Sequence, residues 1–448
     1  MPPLSIQEIE DIKKRIDNTG TITDAIAEIL AKQQRFSPLN RPKYKGFMNK
    51  IASINDNQAE SLTEISELYL DGLKSITDEQ AAILTPDYDG LLIRSLNGLT
   101  SITDAQAESL GKGRILSLDG LTSITDQQAD SLNNVSWLTL DGLKSITNEQ
   151  AKHLSNIPTL SLSGLTSITD QQANSFSKIL CLWFDSLASI TDQQAESLSK
   201  CNQLSLNGLT SITDEQALRL TKVRSLSLNG LTFITERQAM ILGSVTNLDL
   251  DGVTSITDQQ AKSLGNGLSL KLNGLNSITA IQAESLSKVK HLHLDGVKSL
   301  TGEQMESLSN VEDLYLNGLT ILTNGQAESL ARGRVEWIYL NGLTSITDQQ
   351  AESLSKIERL ELNGLTILTN AQAESLAHGR VDSLSLDGLT SLNDQQAETF
   401  GNSSKYLTLN GLTAITDEQA QFLSTKNMGT TLDISLNCQR LIHKHKKQ

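Results

Sequence analysis

Residues 225–242 decide the fold and read Ser225-Leu-Ser-Leu-Asn-Gly-Leu-Thr-Phe-Ile-Thr-Glu-Arg-Gln-Ala-Met-Ile-Leu242. Leu226 and Leu228 alternate with polar residues, which predicts a short, half-buried β-strand. Thr235 and Gln238 have the spacing of a capping box, in which the threonine hydroxyl and the glutamine amide satisfy free backbone amides at a helix start. The stretch therefore predicts a strand, a turn and a helix of two to three turns.

The Asn229-Gly230 pair marks the turn. Asn-Gly also favours β-hairpins, but the residues after Gly230 lead into the helix cap and not into a second alternating strand. We expect the glycine to supply a positive φ where the chain leaves the strand.

The same pattern recurs sixteen times between Gly72 and Gly411, with a period close to 22 residues. Its consensus is L-x-L-[DN]-G-L-x-S-I-T-D-x-Q-A-E-S-L-x-K, and Ser186 replaces the glycine once. A fixed period in the twenties is typical of a solenoid, in which each unit packs on its neighbours. Because every strand runs in the same direction, the sheet must be parallel. Helices need more room than strands, so we expect the stack to curve.

The repeat resembles that of leucine-rich repeat proteins. Leu226-x-Leu228-x-x-Leu231-x-x-Ile234-Thr235 overlays the family pattern L-x-L-x-x-[N/C]-x-x-I-T and is nearest to the cysteine-containing subtype and to bacterial arrays. The resemblance implies an α/β fold: a right-handed, curved solenoid with a concave parallel sheet and short convex helices.

One column departs from the family, because Leu or Val occupies its usual Asn/Cys ladder position, as at Leu231 and Val253. The backbone of the turns therefore needs other partners, and the Ser and Thr residues before the isoleucine are candidates. An Asp/Asn column two residues before the ladder position, with Asn229 as one member, is expected to face the other way. We interpret it as strand-end Asx turns and not as a calcium site.

Three domains are predicted. Residues 1–50 form a helical N-terminal cap, 51–431 form the solenoid, and 432–448 form a C-terminal capping strand followed by a basic tail. Caps are needed because terminal repeats would otherwise expose apolar faces. Two-residue insertions before Gly342 and Gly388 are expected to lengthen helix-to-strand loops, and four extra residues lie at 86–90.

Composition limits the possible partners. The net charge is −15, while the few basic clusters lie at 29–55 and in the tail. An acidic body argues against a nucleic-acid groove. We see no secretory signal and no apolar run long enough for a membrane span, and we expect a monomer that is cytoplasmic or exported without a cleavable signal peptide. Cys181, Cys201 and Cys438 are expected to be free thiols.

The candidate site lies where the repeat is broken. Two residues of each strand face the concave surface, and in the early repeats the central one is mostly Ser or Thr. Between 271 and 361 this surface instead carries large or charged residues: Lys271, His291, His293, Asp313, Tyr315, Trp337, Tyr339, Arg359 and Glu361. Such side chains are typical of binding hot spots, although aromatic residues also favour strands in general. His291-x-His293 with Asp313 leaves a metal site as a further alternative.

No catalytic motif is found, and we predict no cofactor and no metal. The prediction is a non-catalytic scaffold that binds a partner protein through the concave sheet. A structural or adhesive array, or an effector delivered to a host cell, remains an alternative.

Overall fold

The computed structural model describes residues 6–36, 48–85, 93–403, 405–425, 432–435, 438–439 and 441–442. The four extra residues at 86–90 and the basic tail from 443 lie outside these residues, as do residues 1–5 and 37–47 of the predicted N-terminal cap. The chain forms two compact units, Met1–Ser227 and Leu228–Gln448, here called unit 1 and unit 2.

Unit 1 begins with two longer helices, α1 (Ile6–Thr19) and α2 (Asp24–Phe36). Its described strands are β1 Glu67–Tyr69, β2 Ile93–Ser95, β3 Ile115–Ser117, β4 Trp137–Thr139, β5 Thr159–Ser161, β6 Cys181–Trp183, β7 Gln203–Ser205 and β8 Ser225–Ser227. The repeat helices are α3 Asp56–Thr63, α4 Asp78–Leu84, α5 Asp104–Leu110, α6 Asp126–Ser131, α7 Asn148–Leu154, α8 Asp170–Phe176, α9 Asp192–Leu198 and α10 Asp214–Leu220.

Unit 2 repeats the same strand–helix alternation. Its described strands are β9 Asn247–Asp249, β10 Ser269–Lys271, β11 His291–His293, β12 Asp313–Tyr315, β13 Trp337–Tyr339, β14 Arg359–Glu361, β15 Ser383–Ser385, β16 Tyr406–Leu409 and β17 Leu432–Ile434. Its helices are α11 Glu236–Leu242, α12 Asp258–Leu264, α13 Ala280–Leu286, α14 Gly302–Leu308, α15 Asn324–Arg332, α16 Asp348–Leu354, α17 Asn370–His378, α18 Asp394–Asn402 and α19 Asp417–Leu423.

Within each unit the strands pair in parallel and in register, so that equivalent repeat positions are neighbours. The middle residue of a strand points into the core, while the first and third point to the opposite side, here called the open face. Helix residues such as Ala239 and Leu242 close the core on the other side and are fully buried. The parallel strand–helix repeats confirm the predicted fold class.

The capping-box glutamine also joins neighbouring repeats. Gln106 Oε1 accepts from the Thr103 amide (3.0 Å), as the capping box predicts. Its Nε2 donates to the carbonyl of Ile76 in the preceding repeat (2.8 Å). The same bond recurs at Gln128 to Ile102 (2.9 Å) in unit 1 and at Gln282 to Ile256 (2.8 Å) in unit 2. Each of these buried side chains therefore satisfies backbone groups in two repeats at once.

A second ladder corrects the interpretation of the Asp/Asn column. Its side chains do not form local Asx turns: Asn97 Oδ1 accepts from the backbone amide of Asp119 in the next repeat (2.8 Å), and Asn273 Oδ1 accepts from Asp295 (2.9 Å). The chain thus has a polar ladder between repeats, but it lies in the Asp/Asn column at the end of the strand and not at the usual Asn/Cys position. At Ser163 the shorter side chain contacts Ser161 Oγ (3.1 Å) and does not continue the ladder to Asp185.

The expectation of a positive φ at the repeat glycines was wrong, because Gly20 is the one described residue with a positive φ (63°). The repeat glycines are required by close packing between turns. A Cβ on Gly120 would lie 2.2 Å from the carbonyl oxygen of Asn97 and 2.5 Å from that of Leu99. A side chain there requires the backbone of the neighbouring turn to shift.

The two-residue insertions also differ from expectation, since they lengthen helices and not loops. Helices α15 and α17 contain nine residues, compared with seven in α16 between them. The insertion is absorbed as additional helical residues that end at Arg332 and His378.

Arg94 occupies the buried middle position of β2, where the consensus has leucine. It is 1% exposed and donates to the carbonyls of Leu84 (2.7 Å), Ile65 (2.9 Å) and Thr63 (3.0 Å). Burial lowers the pKa of its guanidinium to about 10. The buried guanidinium therefore provides hydrogen-bond donors to backbone carbonyls near the N-terminal end of the core.

None of the described helices is long and apolar enough to cross a bilayer.

Candidate functional site

The sequence-predicted site residues lie together on the open face of unit 2. Strand register aligns His291, Asp313, Trp337 and Arg359 in one row and His293, Tyr315, Tyr339 and Glu361 in a second. Lys271 pairs with His293 and extends the second row. These nine residues, on five neighbouring strands, are called the recognition patch.

Aromatic stacking organises the centre of the patch. The rings of His293 and Tyr315 lie 3.6 Å apart between centroids with an interplanar angle of 12°. Tyr315 and Tyr339 follow at 3.9 Å and 12°. Trp337 adds a fourth ring 5.3 Å from Tyr339. Consecutive parallel strands bring these rings into contact, so the aromatic column needs no support from a loop.

The first row carries two charge-bearing contacts. His291 Nδ1 lies 2.6 Å from Asp313 Oδ2, and both side chains are partly exposed. Arg359 places its guanidinium carbon 4.9 Å from the centre of the Trp337 ring, a cation–π contact. In this row, the His291–Asp313 contact and the Arg359–Trp337 contact therefore each hold two neighbouring side chains in place.

Opposite charges lie at the two ends of the second row. Lys271 Nζ is 3.3 Å from Asp249 Oδ2. At the other end Glu361 Oε2 accepts from Asn341 Nδ2 (3.3 Å), and burial raises the pKa of this carboxyl group. The aromatic column thus runs between a cation and an acid.

Burial shifts the pKa of two aromatic-column residues. It lowers the pKa of His293 to about 4, with the nearby charge of Lys271 as the next cause. It raises the pKa of Tyr339, helped by a hydrogen bond with Tyr315. His293 and Tyr339 are therefore uncharged at neutral pH.

Among the described residues, the recognition patch assembles neither a group of metal ligands nor a pair of nucleophile and base. The described residues contain no group of three or more His, Cys, Asp or Glu side chains arranged to hold a metal ion. Ser269 lies beside His291 in register, on the side away from Asp313. Among the hydrogen bonds of the described residues, none joins the Ser269 hydroxyl to the imidazole, so the row does not form a nucleophile–base pair.

The sequence missed one feature of unit 1. Trp137 and Trp183 come from β4 and β6, yet their rings are 6.1 Å apart and within 11° of parallel. The small residues Thr159 and Ser161 on β5 allow the contact across a strand. The sequence could have indicated this contact, because it places the two tryptophans on strands that flank a strand with small side chains.

Among known proteins, the chain is similar to solved structures. No family model and no curated protein matches the sequence. Among solved structures the chain is similar to an internalin from Listeria monocytogenes, with 16% identity and a TM-score of 0.41 over 75% of this chain and 96% of that one. It is also similar to the leucine-rich repeat ectodomain of the receptor kinase GASSHO1/SCHENGEN3 from Arabidopsis thaliana, solved with CASPARIAN STRIP INTEGRITY FACTOR 2. There the identity is 14% and the TM-score 0.33, over 85% of this chain and 68% of the other.

Proposed function

We propose that this chain of leucine-rich repeats is a non-catalytic recognition scaffold and that the recognition patch binds a partner protein. The observation that carries the proposal is the aromatic column of His293, Tyr315 and Tyr339, with Trp337 beside it. Tyrosine, tryptophan and arginine are the residues that most often dominate the free energy of protein association.

The stacked rings support this proposal because they are ordered before a partner arrives. Each ring rests on a neighbour within 3.6–3.9 Å along the column, so binding would immobilise few additional side-chain rotamers. Lys271 and Arg359 provide positive charge, while Asp313 and Glu361 provide acidic groups. Such a mixed arrangement favours one orientation of a partner over others.

The unassembled Ser269–His291–Asp313 row supports the non-catalytic part. His291 and Asp313 pair at 2.6 Å, but Ser269 makes no hydrogen bond with the ring among the contacts of the described residues. An open sheet face also excludes little water, whereas acyl transfer needs a preorganised donor set for the developing oxyanion. A recognition role asks for none of this.

The test compares partner recovery by three purified proteins. The first is the wild type, and the second is the triple variant Tyr315→Ser, Trp337→Ser, Tyr339→Ser. The third is Tyr406→Ser, a control on the same open face of unit 2, where Tyr406 pairs with Ser383 of β15. Quantitative mass spectrometry of pull-downs identifies proteins retained by the wild type and the control.

We expect at least one such protein to be lost with the triple variant, and calorimetry with that purified protein should give the same order of affinities. Circular dichroism must show that the triple variant is folded. Equal recovery by all three proteins would contradict the proposal and would favour an array that serves spacing or adhesion.

A further inference from the structure

The open face of unit 1 has a different chemistry from the recognition patch. From β2 to β8 the first and third residue of every strand is Ser, Thr, Ile, Trp, Cys or Gln, with no charged residue and no histidine. The whole chain is 20% charged, and the patch in unit 2 contains both acids and bases. The charges nearest to these outward positions are carboxylates of the Asp/Asn column at the strand ends, such as Asp141 and Asp185, and this restricts the ligand that the face can accept.

The Trp137–Trp183 pair lies at the middle of this neutral face. The two indoles are within 11° of parallel, and Trp137 is 44% exposed, among the large apolar side chains left open to solvent. Gln203 on β7 is also exposed, and Thr159 lies between Trp137 and Cys181 in the same row. The exposed Trp137 indole and the partly exposed Trp183 indole are thus combined with hydroxyl and amide groups.

The repeat departs from its consensus at the strand that carries Trp183. The next residue, Phe184, replaces a buried leucine and packs edge-on against Phe176 at 5.6 Å. Ser186 replaces the glycine, and Ser163 interrupts the Asp/Asn ladder in the preceding repeat. The buried residues around this strand therefore also differ from the consensus, and Trp183 is not an isolated substitution in its repeat.

We propose that the open face of unit 1 binds a neutral oligosaccharide of hexopyranose units across Trp137 and Trp183. A pyranose ring presents an apolar C–H face that packs on an indole and hydroxyl groups that exchange hydrogen bonds with serine, threonine and glutamine. Asp141 and Asp185, at the ends of β5's two neighbours, supply carboxylate acceptors for sugar hydroxyls. This function is separate from partner-protein binding in unit 2.

Charge decides against the other occupants. A nucleic acid or an anionic glycan would need lysine or arginine on the face, and β2–β8 provide none at their outward positions. An acidic protein surface would lose hydration there without gaining a counter-charge. A neutral ligand with many hydroxyl groups loses the least hydration free energy on binding to this face.

The test uses the three tryptophans of the chain as reporters. Trp337→Phe leaves the Trp137–Trp183 pair as the sole source of tryptophan emission. This variant is titrated with cellohexaose, maltohexaose, mannohexaose and chitohexaose at up to millimolar concentration, with a hyaluronan hexasaccharide as the charged probe. We expect a saturable change in emission with at least one neutral hexaose and none with hyaluronan.

Further variants locate the site. In calorimetry Trp137→Ala should weaken binding by about tenfold or more, as loss of one stacking contact implies. Trp137→Phe should weaken it less, and Leu218→Ala, which changes an exposed apolar residue on helix α10 away from the open face, should leave it near the wild-type value. The bound hexaose should also protect the Cys181 thiol, which is two residues from Trp183, against alkylation.

Three results would overturn the proposal: no saturable response to any neutral hexaose, binding of hyaluronan alone, or unchanged binding by a folded Trp137→Ala protein. Loss of binding in the unit 2 triple variant with retention in Trp137→Ala would likewise place the sugar site elsewhere.

Discussion

Gln106 Nε2 donates a hydrogen bond of 2.8 Å to the backbone carbonyl of Ile76, one repeat earlier in the chain. The same side chain accepts from Thr103, the N-cap of its own helix. One buried amide therefore fixes a helix start and ties two repeats together, which makes the glutamine column a main determinant of the stacking.

Replacing one ladder glutamine should lower the free energy of unfolding. Gln128→Ala removes the bonds to Thr125 and to Ile102 and leaves buried backbone groups unpaired, so we expect a loss of about 1–3 kcal/mol. Gln127→Ala is the matched control, because this neighbouring glutamine is exposed. Urea unfolding followed by circular dichroism measures both. A loss of equal size in the two variants would contradict the role of the ladder.

Glycine replacements should separate close packing from backbone conformation. Gly120→Ala places a Cβ 2.2 Å from the Asn97 carbonyl oxygen, and the backbone must shift, at a cost of roughly 1–3 kcal/mol or more. Gly325→Ala lies in α15 with no atom within 4 Å of the added Cβ, and it should gain about 0.5–1 kcal/mol from helix propensity. Thermal and urea unfolding report the sign directly. A stabilised Gly120→Ala protein would show that the turns can move apart.

The Asp/Asn ladder should accept aspartate in place of asparagine. Asn317 Oδ1 accepts from the Asn341 amide (3.1 Å), and Asn317→Asp keeps this oxygen. The column already places Asp119 beside Asp141 (3.0 Å from Asp119 Oδ1 to the Asp141 amide), so added charge alone should cost little. Asn317→Ala leaves the amide unpaired and should cost about 1–3 kcal/mol. The two variants are compared by urea midpoint, and equal losses would show that the oxygen is not the important atom.

The sequence predicted the repeat unit, the parallel pairing and the capping boxes because each follows from local spacing. At Gly120 it failed, since the requirement comes from carbonyls one repeat away and not from the φ of the glycine itself. The buried role of Arg94 was missed for the same reason. Its carbonyl acceptors belong to Leu84, Ile65 and Thr63, which are distant in sequence, and the residues next to Arg94 do not indicate them.

The members of the recognition patch followed from register alone, because equivalent strand positions become neighbours in a parallel solenoid. Their contacts did not follow. Stacking of His293 on Tyr315 depends on side-chain rotamers, which the repeat pattern leaves open. The role of the patch remains a prediction until a partner is tested.

His293 should make unit 2 sensitive to acid. Its pKa in the folded protein is lowered from 6.5 to about 4, so between these values the unfolded chain binds more protons than the folded one. Stability contributed by the neutral ring is therefore present above about pH 6.5 and is lost as the pH falls toward 4. His293→Phe keeps an aromatic ring but cannot take up a proton.

The His293 prediction is checked by urea midpoints at both ends of that pH window. We expect the wild type to lose more stability on acidification than His293→Phe. His378→Phe, which removes an exposed histidine outside the aromatic column, should behave as the wild type does. If His293→Phe loses as much stability as the wild type, the imidazole does not titrate differently on unfolding.

Cys181 should be the one cysteine of the folded chain that reacts readily with iodoacetamide. The thiolate is the nucleophile. Burial raises the pKa of Cys201 to about 12 and also raises that of Cys438, while Cys181 is partly exposed on the open face. Peptide mapping after brief alkylation at neutral pH should find the label on Cys181, and denaturation in urea should expose all three. Cys181→Ser should then leave the folded chain almost unlabelled, whereas rapid labelling of Cys201 in the folded protein would show that the core of unit 1 opens on the time scale of the reaction.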